Sequence, residues 1–201
     1  MARWAPDAAD RLECAALDLF VENGFARTTV AQIADRAGVN RATFFRHFAD
    51  KREVLFGGED KLAHLFADGV RNASAGATLA DCIRAAVLAT GPAMTPRQRA
   101  KAVQRVQVLA ANAEVQERGL LKHARIAAAL VAALCERGFD ELAARLAAEV
   151  GLLAFQVALE RWIMADTADG SFSALAHTAL NEVHERIPGL SAPTSASGRP
   201  E

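Results

Sequence analysis

Residues 28–56 read TTVAQIADRAGVNRATFFRHFADKREVLF, and the fold turns on this stretch. Thr29 is placed to cap a helix that starts at Val30. Val30, Ile33, Ala34 and Ala37 recur three and four apart, so they share one helix face. Gly38 follows as a left-handed C-cap, and Val39 points back into the same small core. Asn40 can cap a second helix over about Arg41 to His47, with Phe44 inward and Phe48 just beyond its end. The pattern is helix, short glycine-containing turn, helix.

In that arrangement the second helix can lie in a DNA major groove, with its N-terminal residues meeting base edges. The candidates are Asn40, Arg41, Ala42, Thr43 and Arg46, with Thr29 at the start of the first helix. Arg41 can reach guanine O6 and N7 or clamp a phosphate. Thr43 offers a hydroxyl and a methyl, and Ala42 is small enough for close approach. Arg46 and His47 are placed for the sugar-phosphate wall, which positions the protein without specifying sequence. Lys51 is expected to open a third helix capped by Asp50, its ammonium and that helix's free N–H groups making a phosphate anchor. Gly24 to Arg52 holds six basic residues (Arg27, Arg36, Arg41, Arg46, Lys51, Arg52) against two acidic ones (Asp35, Asp50), a local balance of +4. The whole chain has a formal net charge of −1, so any DNA-binding surface must be local.

The longer run G-F-A-R-T-T-V-A-Q-I-A-D-R-A-G-V-N-R-A-T-F-F-R-H-F-A-D-K-R-E-V-L-F resembles the DNA-binding signature of the TetR family of transcriptional regulators. The likeness is strong over about Asp10 to Phe56 and extends further only in length and helical character. It implies a dimer with a three-helix N-terminal reader and a larger C-terminal effector domain, and most often a repressor released from DNA by a small molecule. The family often has serine or threonine, glycine, threonine, leucine or isoleucine and then tyrosine along the recognition helix. Here Asn40, Ala42, Thr43, Phe44 and Phe45 stand in those places. Phe45 lacks the hydroxyl that the family's tyrosine commonly gives to a phosphate, which shifts that load to Arg46 or His47. Lys51 matches the family's phosphate-contacting lysine.

The chain has 201 residues, 52% of them hydrophobic, enough for a real core. Alanine is abundant, Tyr is absent, and no run alternates polar with apolar residues, so an all-α chain is expected. The expected layout is a helix-turn-helix domain over 1–56, an effector-binding and dimerisation domain over 57–190, and a Ser/Pro/Gly-rich disordered tail over 191–201. Cys14, Cys82 and Cys135 are odd in number and sit in helical apolar patterns, which reads as reduced thiols in a cytoplasmic protein. No apolar run is expected to reach the length of a membrane span. MARWAPDAAD meets acidic residues before any apolar core, unlike a secretory leader.

Taken in order, residues 1–6 read as a loose arm from which Arg3 could reach a minor groove. The first helix is expected over Asp7 to Asn23, and its acidic residues make it a brace behind the reader. The helix from about Lys51 is expected to run past Phe56, bending at Gly57-Gly58. Thr78 begins another helix. Thr95-Pro96 caps one over about Arg97 to Ala111. An irregular piece is expected over Asn112 to Gly119, then a helix from Leu120 to Arg137. The last pair covers Leu142 to Ala165 and a helix capped by Ser171 or Ser173 that continues to Ile187. Small residues Ala143, Ala147, Gly151, Ala154 and Ala158 form a stripe that would let another helix approach closely. With Leu175, Ala179 and Val183, that stripe is the candidate homodimer surface, a use of the final helix pair that the family resemblance implies.

No phosphate-binding glycine loop, H-E-x-x-H or C-x-x-C occurs. The histidines are scattered, acid pairs such as Asp166 with Asp169 read as turn residues, and no nucleophile-base set stands out, so no enzyme, metal or cofactor is expected. An effector pocket would be mostly apolar with a few orienting polar groups. Cys82, Met94, Gln104, Gln107, Phe155 and Trp162 are its candidate lining, and the partners expected are palindromic double-stranded DNA, a second copy of the chain and a small, mainly apolar effector.

Overall fold

The computed structural model describes residues 8–56, 59–165 and 171–187, all of its regular structure helical. The helices are α1 (Ala8–Asn23), α2 (Val30–Arg36), α3 (Arg41–His47), α4 (Glu59–Arg71), α5 (Leu79–Ala89), α6 (Pro96–Ala111), α7 (Ala113–Glu136), α8 (Glu141–Met164) and α9 (Phe172–Arg186). Arg3, the Gly57-Gly58 bend, the Asp166 and Asp169 pair and the tail lie outside the described residues.

Local sequence accounts for most of the helix starts. Thr29, Asn40, Thr78, Thr95, Asp140 and Ser171 each accept a backbone N–H on their side-chain oxygen, satisfying a donor that the first helical turn leaves open. Two expectations fail. Residues 51–56 do not start an α-helix: Asp50 caps the short 3-10 turn Glu53–Phe56, its Oδ1 accepting from the N–H groups of Arg52 and Glu53. Ala113–Glu136 is one helix and not an irregular piece followed by a helix. Gly119 sits inside it, at a propensity cost of about 1 kcal/mol that packing along the rest of a 24-residue helix outweighs.

The buried side chains form two clusters. One joins α1, α2, α3 and the 3-10 turn around Leu12, Leu17, Ile33, Phe44, Val54 and Leu55, and takes in Val108 and Val115 from α6 and α7. The other fills the space between α4, α5, α7, α8 and α9 around Phe66, Val70, Val87, Leu130, Leu134 and Phe155. Backbones come close where residues are small: a Cβ on Gly69 would lie 2.6 Å from Ala86 Cα, so α4 and α5 touch there. Arg99 donates to the carbonyls of Trp162, Ile163 and Ala165 and closes the C-terminal end of α8.

The N-terminal cluster is tied to the rest by ion pairs. α1 carries Asp10, Glu13 and Asp18 toward α6. Asp10 pairs with Arg97 and Lys101, Glu13 with Lys101 and Arg105, and Asp18 accepts from Gln104. This is the physical content of the brace expected from the acidic first helix. Arg105 also donates to the Leu55 carbonyl, so one α6 side chain holds both α1 and the 3-10 turn.

α8 has an 18-residue window of mean hydropathy 1.6 and is long enough to cross a membrane, which corrects the expectation that no run reaches that length. Its inward face packs on the core through Ala144, Ala148, Gly151, Leu152, Phe155 and Trp162. Its outward face leaves Leu142, Leu146, Leu153 and Met164 exposed.

Candidate nucleic-acid interface and ligand cavity

α2 and α3 are joined by a Schellman turn. Gly38 has φ +65°, its N–H donates to Asp35, and the Val39 N–H donates to Ala34. Thr29 and Gln32 form a reciprocal capping box at the start of α2. Thr29 is therefore engaged in holding α2, although it remains exposed. Asn40 caps α3 by accepting from the Thr43 N–H at 2.8 Å.

With Phe44 fully buried, α3 turns the opposite face outward. Arg41, Ala42, Phe45, Arg46 and His47 are exposed on it, and Thr43 is half-buried. Arg46 donates to the Thr43 hydroxyl at 3.0 Å, so that pair presents a guanidinium backed by a hydroxyl. Phe45 is 50% exposed, with its ring edge against Phe44. A bidentate pair between Arg36 and Glu22 fixes α2 against α1, and Arg11 reaches the Ala37 carbonyl.

Lys51 is placed differently from its expected use. Its ammonium donates to the carbonyls of Phe25 (2.7 Å), Ala26 (3.2 Å) and Thr28 (3.0 Å) and sits over the Phe25 ring. An ammonium has three protons, and all three are committed. Lys51 thus fastens the α1–α2 loop and is not a phosphate anchor in this structure.

A cavity of about 300 Å³ lies between α1, α4, α6, α7 and α8. Leu62, Leu65, Ile126, Leu152, Leu159 and Ala102 form much of its apolar wall. Of the six lining residues expected from the sequence, Met94, Phe155 and Trp162 line it. Cys82 is buried in the core elsewhere, Gln104 is turned to Asp18, and Gln107 lies on a separate groove beside Phe20 and Phe25. The polar lining missed in the sequence comprises Glu13, Lys61, Gln98, Arg105, Lys122, His123 and Gln156. These residues come from five helices, and no local spacing groups them.

The proposed dimer stripe faces mainly inward. A Cβ on Gly151 would meet Ile83 of α5 at 2.8 Å, and Ala154, Ala158 and Ala179 are fully buried. These small residues serve close packing of α8 with α5 and α9 within one chain. Ala147, Leu175 and Val183 are half-buried. The exposed apolar residues of α8 are Leu142, Leu146, Leu153 and Met164, and Val150 and Val157, on the same line as the three leucines, are half-buried.

Residues 14–56 match the family model described as bacterial regulatory proteins, tetR family. The HTH-type transcriptional regulator TcmR of Streptomyces glaucescens is 53% identical over 45 residues, a match that spans 22% of this chain and 20% of TcmR. FadR of Thermus thermophilus, a TetR-family transcriptional repressor solved with lauroyl-CoA, is 26% identical over 95% of this chain and all of its own, with a TM-score of 0.53. FadR of Bacillus subtilis, solved with stearoyl-CoA, shares the fold at 18% identity over 86% of this chain and 96% of its own, with a TM-score of 0.55. The match to that family model is confined to the helix-turn-helix segment, and the helices follow those of the Thermus thermophilus TetR-family repressor along nearly the whole length.

Proposed function

We propose that the protein is a dimeric repressor that holds a palindromic operator until a small ligand with a mainly apolar body enters the cavity. The observation that carries this reading is the exposed face of α3. A buried Phe44 and a capped start leave Arg41, Ala42, Phe45, Arg46 and His47 projecting from one short helix. Such a helix fits a major groove, with Arg41 near its N-terminus on base edges and Arg46 and His47 on the backbone. In this reading residues 1–56 form the reader and the rest the effector and dimerisation domain.

Two subunits meet through the exposed apolar face of α8, with the exposed end of α9 beside it. Leu142, Leu146 and Leu153 are 79%, 67% and 51% exposed, too much apolar surface in one line to leave in water. The ligand reading is supported by the cavity's apolar walls and by the acyl-CoA molecules bound to the two FadR proteins. A ligand that prefers a dimer with displaced readers draws the population there and empties the operator.

The test is selection of random duplexes by the purified protein, followed by sequencing. The expected product is a palindrome whose half-sites lie about one helical turn, roughly 34 Å, apart. Failure of folded, dimeric protein to enrich any sequence at low salt would remove the repressor reading.

A further inference from the structure

We propose that Phe45 is a base-reading side chain, and that what it reads is the C5 methyl group of a thymine in each operator half-site. This rests on the DNA-binding reading above and names one base that the reader selects.

Phe45 stands in α3 one turn after Arg41 and Ala42 and directly before Arg46. Arg41, Ala42 and Phe45 are neighbours at spacings of three and four, so they share one side of the helix. The Phe45 ring is 50% exposed, and Arg41, Ala42 and Arg46 are exposed around it. An apolar protein partner that covered the ring would also have to bury two guanidinium groups, at a high desolvation cost. A DNA groove instead pairs the arginines with phosphates and base edges while the ring faces the base pairs.

A phenyl ring has no donor or acceptor, so it bonds neither to a phosphate nor to the polar edge of a base. On the major-groove edges of the four bases the apolar group is the thymine C5 methyl. Against cytosine the same ring covers the N4 amino group and leaves its protons without an acceptor, which costs free energy. Phe45 therefore selects thymine in two ways, by contact with the methyl and by exclusion of a polar edge.

The ring is also held in place. It meets Phe44 edge-on, with 5.4 Å between ring centres and 82° between planes. Phe44 is fully buried and packs on Phe48 at 5.7 Å. One side of the Phe45 ring is thus anchored on the core of the reader, and little freedom is lost when DNA covers the other. Arg46 is turned to the Thr43 hydroxyl, on the opposite side of the helix from Phe45.

The test uses the full-length protein and the palindrome recovered by duplex selection. Each thymine of the half-site is replaced in turn by deoxyuridine, which removes the methyl and keeps the pairing and the groove hydrogen bonds. Affinity is read by fluorescence anisotropy. At one position the change is expected to weaken binding about fourfold in one half-site and about fifteenfold in both, as losing one and two buried carbons gives. In Phe45→Ala the thymine and uracil operators are expected to bind alike at that position, with discrimination at the other positions kept. The wild-type comparison needs no variant to fold. A selected half-site without an invariant thymine, or no thymine at which uracil weakens binding, overturns the proposal. A uracil loss that survives undiminished in Phe45→Ala assigns the methyl to Ala42 or Thr43 and overturns it too. So does an equal loss on all duplexes from Phe45→Ala with no uracil effect in the wild-type protein, which places the ring on the sugar wall. In each of these cases the protein still selects an operator and the repressor reading stands. Failure to select any duplex removes that reading before thymine is ever exchanged, and this proposal with it.

Discussion

The Lys51 ammonium lies 2.7 Å from the Phe25 carbonyl oxygen and 4.5 Å from the centre of the Phe25 ring. A half-buried side chain that the sequence suggested for a phosphate is thus turned onto loop carbonyls. It closes the loop between α1 and α2, and the Phe25 ring beneath it meets Phe20 in a tilted contact with 4.9 Å between ring centres.

Lys51→Met is therefore expected to cost stability more than DNA contacts. Hydrogen bonds made by a charged group contribute about 1.5–3 kcal/mol, which for a chain of this size lowers Tm by roughly 3–12 °C. The slope of log affinity against log salt should stay at the wild-type value when both proteins are measured well below their melting points. A slope reduced by about one, with Tm unchanged, would return Lys51 to the phosphate contacts.

The two arginines of α3 separate by the same measurement. Arg41 sits in the first turn, where a helix in the groove meets base edges, and Arg41→Ala is expected to relax preference at one base pair, by about 1–3 kcal/mol of discrimination. Arg46, beside the Thr43 hydroxyl, is placed for the backbone. Arg46→Ala should weaken binding to all duplexes alike and lower the salt slope by about one. Competition binding against single-base variants of the selected operator distinguishes the two. Equal, non-selective losses from both variants would take Arg41 off the base-reading surface.

How much of this could be read in the sequence depends on how local the determining contacts are. Thr29, Gly38 and Asn40 act within a few residues of themselves, so the two reader helices and their turn follow from the order of residue types. The partners of Lys51 lie 23 to 26 residues away, and a lysine in a basic segment looks the same whether it meets phosphate or carbonyl. The α1–α6 ion pairs span about ninety residues, and nothing in the local spacing of Asp10 and Glu13 names Lys101 and Arg105. In α8 the difficulty is different. The helix is apolar nearly all round, so periodicity offers two faces, one small and one of leucine and valine, without saying which turns inward. Gly151 against Ile83 decides it, and that contact exists only in the folded chain.

The choice of face leads to a test with two arms. Leu146→Glu and Leu153→Glu place a charge on the exposed line of α8 and are expected to leave the monomer folded but prevent pairing. Sedimentation should show a monomer, and binding to a palindrome should fall to that of a half-site. Gly151→Val should act differently, since it forces Ile83 aside within one chain. Overpacking of this kind costs about 1–3 kcal/mol, lowering Tm with the dimer retained in the folded fraction. Dimers that survive both glutamates, or a folded monomer from Gly151→Val, would restore the small-residue face as the interface.

The ion cluster between α1 and α6 makes a prediction about pH. Burial alone would push the Lys101 ammonium down, but its hydrogen bonds to Asp10 and Glu13 outweigh this and hold it above the ordinary lysine value. A raised pKa in the folded state means that the contribution is fully present below the unfolded value, about 10.4, and is lost as pH rises through the folded one. On the acid side, Glu22, Glu136 and Glu182 are each held below the usual carboxylate range, first by the hydrogen bond from Arg36, Arg71 and Arg161 respectively. Their contribution is present above the unfolded carboxylate value and is lost as pH falls through the depressed ones. Stability should therefore be flat across neutral pH, with an alkaline limb that belongs to Lys101. Lys101→Met keeps the stem and removes the charge. It should lower stability at neutral pH by about 3–5 kcal/mol if the buried carboxylates are left uncompensated. The loss should be smaller to the extent that Arg97 and Arg105 continue to serve Asp10 and Glu13. In either case the alkaline limb above the ordinary lysine range should be weaker than in the wild-type protein. Chemical denaturation at a series of pH values reads both effects, and an unchanged alkaline limb in Lys101→Met would assign that limb to other groups.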